Sequence, residues 1–214
     1  MLKAFHIPAR IAVLFAGLAL TTGAALAADT ATPDWPCVQG KVESLSVGQI
    51  WDGPAVEPDK LPWNENEAIM ALLPVLTSRR VPVAEAEAAI KKFAEAQPAA
   101  DRDAKLTLLF AALFETTNGQ RRTVVGGLEK YLKAQRDRAK VIEQKGLDLE
   151  ALQQKSGLDE AGEMAVAKAQ EAYDWESRIF QERQQSIPIA CEVPVLIEER
   201  FFGLTKSIRA LMSK

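Results

Sequence analysis

Two long runs of helical periodicity constrain this chain more than any other feature. In residues 120–145, apolar side chains recur at alternating spacings of three and four, which indicates an amphipathic helix. These positions are Val125, Leu128, Leu132, Gln135, Ala139 and Ile142, with one polar residue among them. Residues 158–186 repeat the pattern through Val166, Ala169, Tyr173 and Phe180. Two such helices bury their apolar faces against each other, so the sequence predicts an antiparallel hairpin over residues 119–187.

Three shorter helices are predicted before the hairpin. Asn64 is a candidate N-cap for the first, because acidic residues follow it in the first turn. Pro82 suits the first turn of the second helix, where its missing N–H costs nothing. Asp101 is expected to cap the third, and Asn118-Gly119 to end it.

Breaks are also predicted within and after the hairpin. Gly146 is expected to end its first helix. Residues 188–194 have a proline at each end, which predicts a linker before a last helix that closes the chain. No stretch alternates with period two for long enough to indicate a strand. The predicted fold is therefore an all-α helical bundle, with residues 64–214 as a single domain.

Residues 28–63 differ in composition from the rest of the chain. Five prolines and three of the four tryptophans fall between Asp29 and Trp63. Proline at this density prevents long helices, so we expect an extended arm laid over the helical body. Tryptophans in such a segment are usually anchors in the grooves of a neighbouring core, and the alternative is an exposed platform for a ligand.

The first 27 residues are organised like a secretory signal peptide. Lys3 and Arg10 supply the positive start, residues 11–20 the apolar run, and Ala25-Leu26-Ala27 the cleavage site. We therefore expect export to the periplasm, cleavage before Ala28 and no integral membrane segment afterwards. The apolar run is short for a membrane span, and an uncleaved anchor is the alternative.

The chain has two cysteines, Cys37 and Cys191. An even number in an oxidising compartment predicts a disulfide. It would close a loop of about 155 residues and contribute roughly 5 kcal/mol in the chain-entropy model. The alternative is a reactive or metal-binding thiol pair, for which the sequence offers no CxxC spacing and no nearby ligand.

Charge and histidine content exclude several kinds of function. Without residues 1–27 the chain keeps 24 basic and 29 acidic residues, a net charge of −5, which disfavours nucleic-acid binding. The one histidine, His6, leaves with the predicted signal peptide, so no histidine remains for a catalytic triad or a zinc site. P-loop, GxGxxG, EF-hand and CxxCH motifs are absent. The sequence therefore predicts no cofactor, no metal site and no catalytic motif.

The start of the predicted hairpin is one candidate binding position. Gln120, Arg121 and Arg122 fall in the first turn of its first helix. Free backbone N–H groups and two guanidinium groups there suit an anion or an acidic partner. The alternative is that the two arginines pair with nearby acids or face water.

A pair of glycines where the two hairpin helices are expected to meet is the second candidate binding position. Gly126 and Gly127 together cost a helix about 2 kcal/mol relative to alanine. Close packing of a neighbouring helix would offset this cost. A ligand held in a gap beside Tyr173 is the other interpretation, because bundle interiors accept such ligands.

These features favour an exported, non-catalytic helical interaction protein. It would be an adaptor or accessory subunit that binds a protein partner, or a second copy of itself, through its helix faces. The alternative is a small-molecule-binding bundle with a ligand between helices. A third hypothesis is an enzyme that uses carboxylates from separate helices. No motif in the sequence identifies a partner, a ligand or a reaction.

Overall fold

The structure is a computed structural model that describes residues 35–155 and 159–213. The predicted signal peptide lies outside these residues. Five α-helices account for most of the described chain, which contains no β-strand. They are α1 (Val47–Ile50), α2 (Glu67–Thr77), α3 (Val83–Glu95), α4 (Arg102–Gln153) and α5 (Glu160–Ala210). The predicted all-α fold is confirmed.

Helices α4 and α5 form the predicted hairpin, and it is longer than expected. Their 52 and 51 residues correspond to about 75 Å each at the rise of an α-helix. Contacts pair Arg138 with Glu176 at 2.8 Å, and Gly146 lies against the ring of Tyr173. Because residue numbers rise along α4 as their partners' numbers fall along α5, the two helices are antiparallel.

The predicted helix ends at Asn118-Gly119 and Gly146 are wrong, because α4 continues through both. A glycine inside a helix costs only about 1 kcal/mol, which tertiary contacts readily offset. Asn118 is buried, and its side-chain oxygen accepts a hydrogen bond from the backbone N–H of Leu45 at 2.9 Å. The residue therefore holds the arm and does not terminate the helix.

The predicted linker at residues 188–194 is also wrong, since α5 passes through Pro188 and Pro194 without a break. Each internal proline removes one helix hydrogen bond and costs about 3 kcal/mol or more. Cys191, between the two prolines, is fixed by its disulfide to the arm. The side-chain amide of Gln39 also donates to the backbone carbonyl of Cys191. Contacts from outside the helix therefore hold a segment that local propensity would break.

Side-chain N-caps mark the residues where α2 and α5 begin. The side chain of Asn66, rather than the predicted Asn64, accepts a hydrogen bond from the N–H of Ile69 at 3.1 Å. Asp159 caps α5 by accepting from the N–H of Gly162 at 2.9 Å. Both are ordinary N-cap interactions that satisfy a free donor of the first turn.

The main core lies where α2 and α3 pack against the beginning of α4 and the end of α5. Its fully buried side chains are Ile69, Leu76, Ile90, Leu106, Leu109, Phe110, Leu113, Phe201, Leu204 and Ile208. The arm contributes Trp51, whose ring stacks on Phe110 with the centroids 4.1 Å apart. No helix in the described part of the chain combines the length and hydropathy that crossing a membrane requires.

Candidate functional site

A disulfide joins the arm to α5 and organises a second buried cluster. Cys37 and Cys191 are bonded, with their Cα atoms 5.4 Å apart, which confirms the predicted bridge. The cluster around it consists of Trp35, Cys37, Val125, Leu128 and Cys191. It thus ties three segments together: the arm, the middle of α4 and the proline-containing part of α5.

Polar contacts hold the arm beside this bridge. The indole N–H of Trp35 donates to the carbonyl of Gln39 at 2.6 Å, which closes a turn around Cys37. Lys41 pairs with Glu129 of α4 at 2.6 Å. The hydrogen bond to Glu129, reinforced by Glu43, raises the pKa of Lys41 above its ordinary value. The arm is therefore a fixed part of the surface here.

The tryptophans of the arm are anchors rather than an exposed platform. Trp35 and Trp51 are buried, and Trp63 is half-buried against the main core. Trp175, on the hairpin, is the exposed indole. This arrangement agrees with the interpretation that the arm tryptophans anchor the arm in grooves of the core.

The structure does not bring Gln120, Arg121 and Arg122 to one surface. Arg121 is only 4% exposed; its guanidinium pairs with Glu198 and donates to the carbonyl of Val42. Gln120 and Arg122 point to solvent. Because α4 is continuous here, these positions lack the free N–H groups of a helix start. Arg121 is thus committed to the fold and is not available to an external anion or acidic partner.

Gly126, Gly127 and Tyr173 do not form one gap. A Cβ atom built on either glycine would meet nothing within 4 Å among the described residues, so no neighbouring helix packs closely against them. Tyr173 lies instead against Gly146, 3.3 Å from where its Cβ would be. At the rise of an α-helix, Gly146 is about 28 Å along α4 from Gly127. The ligand gap expected between these residues is therefore not assembled.

An exposed apolar ridge runs along α5 beside the disulfide. We define the ridge as Ile189, Val193 and Leu196, whose spacings of four and three place them on one face of the helix. Ile189 is 69% and Leu196 46% exposed. Val38 of the arm is fully exposed nearby. These large side chains expose apolar surface to water, and that surface does not contribute to either buried cluster.

Two grooves flank the ridge. The arm groove, about 500 Å³, is lined by Val38 and Gln39 of the arm and by Pro188 and Leu196 of α5. The hairpin groove, about 460 Å³, lies on the other side, between Gly127 of α4 and the ridge residues Ile189 and Val193 of α5. The open space left by Gly127 is therefore part of an outer groove, not a buried gap. Together the ridge and grooves form a continuous, mostly apolar surface.

The charge at the arm groove is acidic. Glu192 and Glu199 of α5 both line it and are exposed. Neither forms an ion pair within the described ranges, in contrast to Glu198, which pairs with Arg121. An occupant with basic side chains would complement this edge.

Sequence reasoning missed the ridge because it assigned Ile189 and Val193 to a linker over residues 188–194 and so separated them from Leu196. The signal was present: the spacings of four and three between Ile189, Val193 and Leu196 are those of one helix face. The prolines at positions 188 and 194 outweighed it. Reading the periodicity through the prolines would have placed these side chains on one face.

The described residues contain no group of three or more His, Cys, Asp or Glu side chains placed to hold a metal ion. The chain matches no protein-family model, and comparisons with curated proteins and with solved structures gave no match. The ridge and its grooves, together with the disulfide that supports them, are thus the candidate functional site on the evidence of this chain's own residues.

Proposed function

We propose that this protein is an exported, non-catalytic interaction protein that binds a partner protein through the ridge. The observation that supports this most is the exposure of Ile189 and Leu196 on a helix already fixed by the disulfide. Exposed clusters of large apolar side chains with a polar rim are typical of protein-binding sites. Full burial of each such side chain would contribute roughly 1.5–3 kcal/mol to association.

The partner's binding segment is expected to be apolar and basic. Its apolar residues would fill the two grooves, and its Lys or Arg side chains would face Glu192 and Glu199. A second copy of this chain fits less well, because a two-fold interface on this ridge would bring the same acidic residues of both copies near each other. A different protein is therefore the favoured occupant.

Two features support export. The sequence of residues 1–27 has the three parts of a secretory signal peptide. The Cys37–Cys191 bridge is of the kind that persists in an oxidising compartment such as the periplasm. A non-catalytic role is favoured by the chain itself, which after cleavage would have no histidine and carries none of the motifs for nucleotide or metal chemistry.

The interaction is tested by site-specific photo-crosslinking in the native host. A photoreactive amino acid replaces Ile189 or Leu196, and the crosslinked products are identified by mass spectrometry. The matched control places it at Met164, an exposed apolar residue near the start of the same helix. We expect one product at both ridge positions, absent at Met164, in which the attached peptide carries Lys or Arg beside apolar residues.

A charge reversal makes this test specific. The double substitution Glu192→Lys and Glu199→Lys should reduce the yield of that product without unfolding the protein, because both side chains are exposed. Two results would count against the proposal: a yield at Met164 equal to that at the ridge positions, or a yield at the ridge that the charge reversal leaves unchanged. A product made only of two copies of this chain would assign the ridge to a homodimer instead.

Export has its own test. The intact mass of the protein from a periplasmic fraction should correspond to a chain that begins at Ala28 and has no free thiol. A full-length mass in the membrane fraction would identify an uncleaved anchor. Recovery from the cytoplasm with both cysteines reduced would refute export.

A further inference from the structure

A small cavity lies between the arm, α4 and α5, apart from the ridge. Its volume is about 190 Å³. Its walls are mostly apolar and include Trp35 of the arm, Leu132 of α4 and Phe180 of α5. None of the three ridge residues lines it. Two aromatic rings from different segments therefore face a common space.

One polar group of this cavity lacks a partner. Gln135 of α4 lines the cavity and is only 3% exposed. Its side-chain oxygen, Oε1, forms no hydrogen bond within the described part of the chain. A buried acceptor without a donor is costly, and buried polar groups in folded proteins are almost always paired. The unpaired oxygen therefore points to a donor supplied from outside the fold.

The amide of Gln135 is turned with Nε2 towards the phenol of Tyr131. The hydroxyl of Tyr131 donates to the backbone carbonyl of Arg183 at 2.8 Å, and a carbonyl can only accept. The same hydroxyl therefore accepts the bond from Nε2 of Gln135, at 3.2 Å. The hydroxyl of Ser186 donates to the same carbonyl of Arg183 at 2.7 Å and lies 3.0 Å from the hydroxyl of Tyr131. Oε1 consequently points away from the Tyr131 phenol and remains the free acceptor.

We propose that this cavity binds a small aromatic molecule whose single O–H or N–H group donates to Oε1 of Gln135. An apolar cavity of roughly 150 Å³ is known to hold benzene, so this one has room for a ring with a polar substituent. Trp35 and Phe180 offer the ring stacked or edge-on contacts. The proposal does not depend on the ridge, and it places a ligand site where neither Gly127 nor Tyr173 takes part.

The experiment compares phenol with toluene, which have the same ring and similar size but differ in the donor. Dissociation constants are measured by NMR titration of the whole protein with its disulfide intact. We expect both probes to bind at millimolar concentration, with phenol bound at least as tightly despite its better hydration. In Gln135→Leu, toluene binding should persist and the ratio of phenol to toluene affinity should fall roughly tenfold.

A cavity-filling substitution locates the site. Ala139→Phe places a ring in the cavity and should abolish binding of both probes, since Ala139 lines its wall. The control Ala134→Phe adds the same ring on the exposed face of α4 and should leave both affinities unchanged. Absence of saturable binding, or binding that survives Ala139→Phe, would overturn the site and leave ordered water as its occupant. An unchanged affinity ratio in Gln135→Leu would overturn the role of Oε1.

Discussion

Arg121 of α4 and Glu198 of α5 form an ion pair across the hairpin, with Nε and Oε1 2.5 Å apart. The two partners differ in environment: the side chain of Arg121 is 5% exposed and that of Glu198 37%. The same guanidinium also donates to the backbone carbonyl of Val42. One side chain thus connects both hairpin helices with the arm.

This asymmetry predicts unequal costs for removing the two partners. Glu198→Ala leaves the buried guanidinium of Arg121 without its carboxylate and should destabilise the protein by about 3–4 kcal/mol. Arg121→Met leaves a carboxylate that water can reach and an unpaired carbonyl at Val42, and should cost about 2 kcal/mol. Urea unfolding measures both. Glu199→Ala, which removes an exposed carboxylate with no ion pair, is the control and should change stability by less than about 0.5 kcal/mol.

The disulfide is expected to carry a large share of the stability. Replacing Cys37 and Cys191 together by serine frees a loop with a sequence separation of 154 residues. The unfolded chain then gains entropy, and the free energy of unfolding should fall by about 3–5 kcal/mol. The check is urea unfolding of the variant and of the wild type with and without reductant. A reductant that leaves the wild-type transition unmoved would contradict the prediction.

The two environments of tryptophan give a matched pair of variants. Trp51→Ala removes a buried ring that stacks on Phe110 and donates to the carbonyl of Pro54 at 2.8 Å. It should lower the free energy of unfolding by about 3–5 kcal/mol. Trp175→Ala, at an exposed position, should change it by less than about 0.5 kcal/mol. Comparable losses in both variants would show that Trp51 is not a core anchor.

Two glycines of α4 should respond oppositely to the same substitution. Gly127→Ala adds a methyl group in open space and should stabilise the protein by about 0.5–1 kcal/mol, since alanine is the better helix former. Gly146→Ala places that methyl group 3.3 Å from the Tyr173 ring. The ring must shift, so the gain should be cancelled or reversed. Melting temperatures under identical conditions decide this, and equal gains would mean that Tyr173 moves freely.

Arg200 is expected to hold the end of α2 onto α5. Its guanidinium donates to the backbone carbonyls of Leu76, Val81 and Val75 at 2.6, 2.7 and 3.1 Å. Partial burial lowers the pKa of Arg200 from its ordinary value. Arg200→Met leaves these acceptors without a charged donor and should cost about 2–3 kcal/mol. Arg122→Met, at an exposed site, is the control for loss of charge alone, and a similar effect there would refute the prediction.

The helical periodicity of the hairpin and the pairing of the two cysteines were predicted correctly. The face of α4 from Val125 to Gln135 is buried, as the spacing of its residues predicts. Helical periodicity is set by the backbone, so this face can be identified without knowing which helix packs against it. The pairing of Cys37 with Cys191 needed only two cysteines and an oxidising compartment. These predictions were sufficient for the fold class, the hairpin and the attachment of the arm.

The folded packing alone determined the candidate site. Pro188 and Pro194 predict a break, yet the disulfide and the contacts around Cys191 keep α5 continuous and so place Ile189 and Leu196 on one exposed face. Arg121 turns inward because Glu198 and Val42, distant in sequence, meet it there. Local preferences are worth only a few kcal/mol, and contacts between remote segments contribute as much or more. Where the two conflict, remote contacts decide which side chains remain on the surface.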